Sequence, residues 1–284
     1  MLKDYYYLTK PGIIYGNVLT AIAGFLLAAN TSIDLKLLVA TIIGTALVIA
    51  CGCVINNYFD RDIDRIMART KKRALVSGKI SVANALLYST ILGILGFTVL
   101  LLFVNDLTAL IGLIALVNYA LVYTFSKRHT HYSTLIGTIA GSASIVAGYT
   151  AVTGQIDSAA IILFLIMFCF QMPHFYAIAI YRLKDYKAAK LPVLSVVKGV
   201  RTAKIRIVLY VLTFMLVSSL LSVYGYAGYI YLAAMVILGL GWLKVALTGF
   251  NSTDDTIWAK HVFRYSLIVI LGISIIIPLG GLLP

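Results

Sequence analysis

One short segment of the sequence concentrates acidic and amide side chains at a regular spacing. Asn56, Asp60 and Asp64 follow one another at intervals of four residues. On a helix, residues four apart lie on the same face, about 6 Å apart along the axis. The three side chains would therefore form a column of hard oxygen ligands, the donor set that Mg²⁺ prefers. Because stacked carboxylates repel each other unless a cation relieves the repulsion, we interpret the column as a metal site.

A solvated helix end with aspartate–arginine pairs is the alternative interpretation of the same segment. A single aspartate at such a position would mean little, but three of the chain's ten acidic residues fall within residues 60–64, and all ten are Asp. We therefore favour the metal interpretation. Asp62 lies off the column, and we expect it to pair with a neighbouring arginine.

A second acidic position, Asp185, follows a later apolar segment and lies in a basic stretch. If the two segments adjoin, its carboxylate would clamp the same cation from the other side. We therefore predict Asn56, Asp60, Asp64 and Asp185 as metal ligands, and the three aspartates as catalytic. Mg²⁺ in proteins is usually shared with substrate phosphates, so the site could bind a diphosphate. Nearby basic residues could neutralise the charge of that diphosphate. Each of them, taken alone, is better explained as a charge that sets topology. They are Arg65, Arg69, Lys72, Arg73, Lys184 and Lys190.

His174 follows Pro173 in the middle of an apolar segment. It precedes Asp185 by eleven residues, a distance of about 16 Å along a straight helix. An ionisable ring at that depth is a candidate functional residue. Two interpretations stay open: the ring could ligate haem iron, or it could form a hydrogen bond to a neighbouring helix at the proline break.

Composition indicates that the elements carrying these residues span a membrane. The chain has 284 residues, of which 61% are hydrophobic and 12% are charged. Soluble domains carry about 25% charged residues. The net charge of +13 could suggest nucleic-acid binding, but the basic residues lie in short loops between apolar segments, where they set topology. We therefore exclude nucleic acid as a partner and expect a lipid bilayer.

Nine apolar segments approach the length of about 20 residues that is needed to cross a bilayer. If the chain alternates sides, every basic residue except Lys36 falls on one side. The positive-inside rule then places that side and the N-terminus in the cytoplasm, and the C-terminus outside. The predicted spans are 12–30, 35–57, 81–103, 107–126, 132–152, 158–181, 205–224, 226–247 and 262–283.

This layout predicts an all-α polytopic membrane protein with a single transmembrane domain over residues 1–284. The second and sixth spans each end in acidic residues and precede a long basic loop, which suggests two four-helix pseudo-repeats and a ninth helix. The repeat lies in the layout rather than in sequence identity. The first half would cover about 1–126, the second about 127–247, and the last helix about 262–283.

A metal–diphosphate site at the mouth of an apolar bundle indicates a particular chemistry. The metal and the basic residues would stabilise a departing diphosphate. If the substrate were a prenyl diphosphate, an allylic carbocation would remain, and aromatic faces would stabilise it. The aromatic candidates, many of which could equally form interfacial belts, are Tyr58, Phe59, Tyr119, Tyr123, Tyr149, Phe175, Tyr176 and Tyr181.

Several segments together resemble the UbiA-type intramembrane prenyltransferase superfamily over essentially the whole chain. Within it, the sequence is similar to the haem-farnesylating branch, the protohaem IX farnesyltransferases (haem O synthases). The segments that carry the resemblance are Thr9 to Gly12, Asn56 to Thr70, Gly154, and Gln171 to Gly199, of which the last is specific to that branch. The sequence departs from the expected pattern where prolines are replaced by Ser144-Ile145 and Ser195, and where Tyr181 and Ala189 flank Asp185 without a second carboxylate.

The resemblance implies transfer of a farnesyl group from farnesyl diphosphate to the 2-vinyl group of haem b, with addition of water, to give haem O for terminal oxidases. It implies Mg²⁺ as a cofactor and haem b as a substrate rather than a prosthetic group. It also implies a bacterial inner-membrane location, and downstream haem A synthase or terminal oxidase assembly as partners.

Two other functions were weighed against haem farnesylation. Prenylation of a quinone-precursor aromatic acid uses the same site, but Pro173-His174 and the single Asp185 fit the haem branch better. A secondary transporter would also combine repeats with intramembrane polar groups. Transporter sites lie near the bilayer midplane, whereas the acidic column lies at the membrane edge.

Overall fold

The computed structural model describes residues 2–281, and every regular element in that range is helical. Within it, nine helices are long and apolar enough to cross a membrane, as the sequence predicted. The chain is therefore an all-α multi-pass membrane protein. In chain order, spans 1 to 9 are Pro11–Ala29, Leu35–Phe59, Val82–Phe103, Asp106–Ser126, Ser133–Thr153, Ser158–Tyr181, Gly199–Val223, Tyr229–Asn251 and Asp255–Gly280.

Short helices cluster on the side of the bundle that carries the connections between spans 2 and 3 and between spans 6 and 7. We call this the basic side, because the charged loops lie there. The short helices are Leu2–Leu8, Arg61–Ile66, Leu183–Ala188 and Leu194–Val197.

Spans 7 and 9 begin earlier than predicted, at Gly199 rather than 205 and at Asp255 rather than 262. Their first turns are polar, so the apolar runs in the sequence begin only after them. The Asp254 side chain accepts hydrogen bonds from the Thr256 and Ile257 amides and so caps span 9. Lys204 in span 7 is buried and forms an ion pair with Asp255. The predicted end of span 9 at 283 lies outside the described residues.

The turn between spans 7 and 8 is longer than predicted, and span 8 begins at Tyr229 rather than at 226. Gly225 in this turn has a φ of 76°, a left-handed conformation that side-chain-bearing residues adopt at a cost. The stretch of glycine and tyrosine residues thus forms the connection instead of the first turn of the next helix.

Spans 1 and 5 approach each other so closely that their backbones touch at small residues. A Cβ atom on Gly24 would collide with the carbonyl oxygen of Ile145, and one on Gly148 with that of Ala21. Because lipid tails are as apolar as leucine, membrane helices associate by such close packing rather than by hydrophobic exclusion. Span 9 also packs against span 1.

Spans 5 and 6 form the interior of the bundle, with 61% of the most apolar window of each buried. Span 6 packs against spans 5, 7 and 9, and the core around it includes the fully buried Phe214 and Trp242. Spans 3 and 7 instead expose large apolar side chains such as Leu102 and Leu216. These outward faces are suited to contact with lipid, and the interior is left to hold the site.

Candidate functional site

A cavity of about 630 Å³ is lined by the acidic column at the basic side and by residues from the middle of several spans. Spans 2, 3 and 4 contribute aliphatic side chains such as Val48, Leu100 and Ile111. Spans 5, 6 and 9 form the opposite wall of the cavity, which includes Gln171 and His174. A charged mouth and an apolar interior therefore belong to one continuous space.

The column forms because the helical repeat continues past the end of span 2. Asp60 has φ −87° and ψ 0° and links span 2 to the helix Arg61–Ile66. The Asp60 amide donates to the Asn56 carbonyl at 3.0 Å, and the Asp64 amide donates to the Asp60 carbonyl at 2.8 Å. Asn56, Asp60 and Asp64 are all buried and all line the cavity. Their role as metal ligands stays a prediction.

Each residue of the column has a basic partner from another part of the chain. The Lys10 ammonium donates to the Asn56 carboxamide oxygen, and Lys127 forms an ion pair with Asp60. Arg73 forms an ion pair with Asp64 at 2.6 Å. These cations balance the buried negative charge, which would otherwise be costly to remove from water.

Burial favours the neutral form of the two lysines, Lys10 and Lys127. It lowers the pKa of Lys10 to about 8. Burial also lowers the pKa of Lys127, although the Asp60 carboxylate acts in the opposite direction. Lys10 is held in a left-handed backbone conformation, with φ 54°, immediately before Pro11. Such a conformation is uncommon outside glycine and asparagine, and it is found where the surrounding structure requires it.

The donor set of the column fits Mg²⁺. Asp60 Oδ1 is buried and has no hydrogen-bond partner among the described residues, so it is an acceptor left free for a cation. Within residues 2–281, no three histidine, cysteine or acidic side chains converge on one point. Asn56, Asp60 and Asp64 would therefore hold the ion together with oxygens of a bound diphosphate rather than as a complete protein cage.

Asp62 points away from the cavity and pairs with an arginine, as expected. Its carboxylate accepts from both terminal nitrogens of Arg128 at 2.6 and 2.8 Å. The hydrogen bond from Arg128 lowers the pKa of Asp62 to about 2. Arg128 also donates to the Phe59 carbonyl at 2.5 Å. The pair fastens the end of span 2 to the end of span 4.

Of Asp185 and the six basic residues predicted to bind diphosphate, only some reach the cavity. Asp185 lies on the helix Leu183–Ala188 but is not among the described residues that line the cavity, whereas its neighbour Tyr186 is. Of the six basic candidates, Arg69 and Arg73 line the cavity. The other four are exposed and lie off the cavity wall; they are Arg65, Lys72, Lys184 and Lys190. A role for Asp185 or these four residues stays a prediction.

Span 4 brings an aromatic pair to the column. A π-helical turn covers Asn118–Tyr123, and the Tyr119 and Tyr123 rings stack with centroids 5.7 Å apart. The Lys10 ammonium lies 5.9 Å from the Tyr119 ring centroid, and Lys127 lies 5.5 Å from that of Tyr123. Of the other predicted aromatic candidates, only Phe175 lines the cavity wall formed by the described residues.

Sequence reasoning assigned Lys10 and Lys127 to topology alone and missed their place in the site. A signal was present, because Tyr119, Tyr123 and Lys127 repeat every four residues, as the column does. Lys10 directly precedes span 1, where its side chain can turn inward. The contacts themselves join residues that are 46 and 67 positions apart in the sequence, and no local pattern specifies them.

His174 lies on the cavity wall, half-buried among aromatic rings. Its Nδ1 atom forms a hydrogen bond with Ser266 Oγ of span 9 at 2.7 Å. The hydrogen bond to a neighbouring helix, one of the two interpretations of this residue, is therefore present. Contact with haem stays a prediction, and the second ring nitrogen is still available for it.

Of the three positions where the resemblance led us to expect prolines, Ser144 and Ser195 carry serines with hydrogen bonds, and the third is Ile145. Ser144 lies inside the uninterrupted helix of span 5 and donates to the Asn17 side-chain oxygen at 2.8 Å. Ser195 donates to the Ala179 carbonyl at 3.4 Å. Ser144 thus links spans 5 and 1 on the cavity wall.

Comparison with known proteins gives the following similarities. A sequence profile of the UbiA prenyltransferase family matches residues 17–268. The chain is 50% identical to "Protoheme IX farnesyltransferase" of Shigella flexneri and to that of Escherichia coli strain K12, covering all of this chain and 96% of each relative.

Several solved structures share the fold. A digeranylgeranylglyceryl phosphate synthase superposes with a TM-score of 0.81 at 23% identity, covering 99% of this chain and 98% of the other. A UbiA homolog from Archaeoglobus fulgidus bound to GPP and Mg²⁺ superposes with a TM-score of 0.69 at 18% identity, covering 96% and 99%. A UbiA homolog from Aeropyrum pernix K1 has a TM-score of 0.76 at 20% identity, covering 93% and 95%.

Proposed function

The chain belongs to the UbiA prenyltransferase family, and from that premise we propose that it transfers a farnesyl group from farnesyl diphosphate to the 2-vinyl group of haem b. The acceptor and donor follow from the whole-length identity of 50% to protohaem IX farnesyltransferases. The balanced reaction joins farnesyl diphosphate, haem b and one water, and releases diphosphate and haem O. The enzyme is a Mg²⁺-dependent prenyltransferase.

One observation carries the proposal: a single cavity connects the acidic column with the wall that bears His174. The column and its lysines suit a metal-bound diphosphate, whereas the interior suits apolar groups. Farnesyl diphosphate has a charged head and an apolar tail, and haem b is large and flat. The two substrates can therefore meet in this one water-poor cavity.

The basic residues at the cavity mouth bind and orient the diphosphate. Lys10, Lys127, Arg69 and Arg73 line the cavity there, and their donors could turn from the column to phosphate oxygens of a bound diphosphate. Mg²⁺ held by Asn56, Asp60 and Asp64 would neutralise the charge that develops on the departing diphosphate.

The stacked Tyr119 and Tyr123 rings face the allylic carbon after the carbon–oxygen bond to diphosphate breaks. Aromatic faces attract a cation without attacking it. The aliphatic wall of spans 2, 3 and 4 holds the farnesyl tail and excludes water from the cation until the vinyl group has attacked.

The wall formed by spans 5, 6 and 9 receives the porphyrin. Gly137 and Gly141 of span 5 line this wall and leave room for the Tyr123 and Gln171 side chains, which a Cβ atom at these positions would strike. Phe175, Phe263 and His174 provide ring surfaces. The second carbocation forms beside the macrocycle after attack by the vinyl group, and a water molecule adds there and loses a proton. This places the hydroxyl group on the carbon next to the ring.

The charge distribution orients the protein in a bacterial inner membrane with the basic side, and so the diphosphate mouth, in the cytoplasm. Farnesyl diphosphate is soluble enough at its charged end to arrive from that side. The product remains in the bilayer, where haem A synthase or a terminal oxidase under assembly can receive it.

A competition assay tests the proposal. Purified protein is incubated with Mg²⁺, farnesyl diphosphate, haem b and an aromatic quinone-precursor acid, and the products are identified by mass. We expect farnesyl transfer to haem b alone. Prenylation of the aromatic acid with unchanged haem would favour the other prenyltransferase function, and a lack of any prenylated product would reject both.

A further inference from the structure

We propose that Ser266 is a positioning residue that fixes the tautomer of His174, so that Nε2 of this histidine carries a free lone pair toward the cavity and ligates the iron of haem b. The inference rests on the proposed function for the identity of the acceptor. It adds His174 as a defined ligand of the haem iron. It also adds Ser266, on a different helix, as the residue that fixes the tautomer of this ligand.

The two hydrogen bonds of Ser266 determine which atom donates and which accepts in each. Ser266 Oγ lies 2.6 Å from the carbonyl oxygen of Phe263 and 2.7 Å from Nδ1 of His174. A carbonyl oxygen only accepts, so the serine hydroxyl must donate its proton to Phe263. A hydroxyl has one proton. Ser266 therefore accepts the second hydrogen bond, and Nδ1 of His174 carries the proton that it donates.

The tautomer leaves Nε2 as the basic nitrogen of the neutral ring. Around His174, the contacting rings are those of Phe170, Phe175 and Phe263, with centroids 5.9, 5.2 and 5.0 Å away. These surroundings offer no charge to stabilise an imidazolium, so a neutral ring is favoured. The aromatic neighbours also restrict rotation of the ring, and His174 borders the cavity.

This arrangement is the one that metal-ligating histidines use. Such a histidine donates its other N–H to an oxygen acceptor, which fixes the ring orientation and makes the ligating nitrogen more basic. Burial of Ser266 excludes water from its hydrogen bond. Ser266 is itself locked by its bond to Phe263, so the acceptor cannot turn away. Haem b would bind as a substrate whose macrocycle is held at a set height in the cavity, without any change in the oxidation state of its iron.

The test measures the bond between iron and histidine directly. Purified wild-type protein is loaded with haem b, without farnesyl diphosphate, and reduced, and the resonance Raman spectrum is recorded. We expect an iron–histidine stretching band that is lost in His174→Ala. In Ser266→Ala the band should shift to lower frequency, because an imidazole without its Nδ1 acceptor is a weaker donor, and haem b should bind about 10-fold more weakly.

Two further variants separate positioning from stability. Ser266→Thr keeps the hydroxyl group and should restore the wild-type band. Ser274→Ala is a matched control on the same helix, because Ser274 also donates to a carbonyl of its own helix, that of Ile270 at 2.8 Å. This control should leave the band and the haem affinity unchanged. If Ser266→Ala is not recovered folded, Ser266→Cys, whose sulfur is a poor acceptor, should give the same shift.

The outcomes also distinguish this inference from the proposed function. An iron–histidine band that is unchanged in Ser266→Ala would overturn the role of Ser266. If the wild type shows no such band but still farnesylates haem b when the diphosphate is added, the ligand assignment is wrong and the proposed function stands. If haem b is neither bound nor farnesylated, the proposed function fails, and this inference fails with it.

Discussion

At the scale of single residues, the site combines two demands that oppose each other. Asp60 and Asp64 must be buried to act in a water-poor cavity, yet buried carboxylates are costly. Lys127 and Arg73 resolve this by pairing with them. The same cations can then serve the diphosphate. We therefore expect Lys127 and Arg73 to have one role in the ligand-free protein and another during the reaction.

The metal role of the column is tested by substitution at Asp60 and Asp64. In Asp60→Ala or Asp64→Ala the ion loses a hard oxygen ligand, and we expect turnover to fall by a factor of about 100 or more. Treatment of the wild type with EDTA should have a similar effect. Asp62→Ala is the matched control, because Asp62 pairs with Arg128 outside the cavity, and it should keep most of the activity. Wild-type rates in either column variant would contradict the assignment.

Lys127 should act on the diphosphate rather than on haem. Removing its charge in Lys127→Met is expected to raise the KM for farnesyl diphosphate about 10-fold, since one charge-assisted contact is lost. The KM for haem b should change little, and Lys127→Arg should recover part of the loss. Steady-state kinetics with each substrate varied in turn provide the measurement.

An exposed lysine gives the control for that experiment. Lys71 lies in the same basic region but is exposed and off the cavity wall. Lys71→Met removes the same net charge from the protein. If both variants change the KM equally, the effect is one of overall charge, and the specific role of Lys127 is refuted.

Among the helices, one buried lysine near the start of span 7 contacts both the end of span 8 and the start of span 9. Lys204 donates to the Gly249 carbonyl at 2.5 Å, forms an ion pair with Asp255, and lies 5.2 Å from the Trp258 ring centroid. Because Asp255 is partly exposed, most of the stabilisation should come from the buried carbonyl contact.

Lys204→Met should therefore lower the free energy of unfolding by about 1.5–3 kcal/mol, the contribution of a hydrogen bond from a charged group, because the Gly249 carbonyl would keep its hydrogen bond from the Ser252 amide at 3.3 Å. The melting temperature in detergent is the measurement, and the KM for farnesyl diphosphate should remain unchanged because Lys204 does not line the cavity. Lys244→Met, at an exposed position in span 8, is the control. An equal loss in both variants would argue against the buried contact.

The helices illustrate what the sequence could and could not predict. Hydropathy located all nine spans, and the four-residue spacing of Asn56, Asp60 and Asp64 predicted their common face. The starts of spans 7 and 9 were missed because their first turns are polar, and their stability comes from contacts such as Lys204 with Asp255. Lys10 and Lys127 were missed as site residues for a similar reason, since their partners are distant in the sequence.

For the molecule as a whole, charge and hydropathy together predict an orientation in the membrane. The two long connections that carry the column and Asp185 share one side, and the positive-inside rule assigns this side to the cytoplasm. Because the charged mouth of the cavity opens on that side, the predicted orientation also predicts that the charged substrate enters from the cytoplasm.

Cysteine labelling in intact cells tests the orientation. Single cysteines introduced at exposed positions in 61–80 and 182–204 should be protected from an impermeant reagent, whereas one at Asn30, in the exposed turn between spans 1 and 2, should react. The predicted external position of Pro284 lies beyond the described residues and can be tested in the same way. Ready labelling of the 61–80 connection would reverse the topology.

In the proposed reaction, one cavity brings together a farnesyl group, haem b and water. The most direct test is a single incubation of the purified protein with haem b, Mg²⁺ and farnesyl diphosphate in ¹⁸O-labelled water, followed by mass analysis of the pigment. We expect a haem that has gained one farnesyl group and one labelled hydroxyl, and no such product with Asp60→Ala. A farnesylated haem without the label, or haem b returned unchanged by an active prenyltransferase, would contradict the proposed reaction.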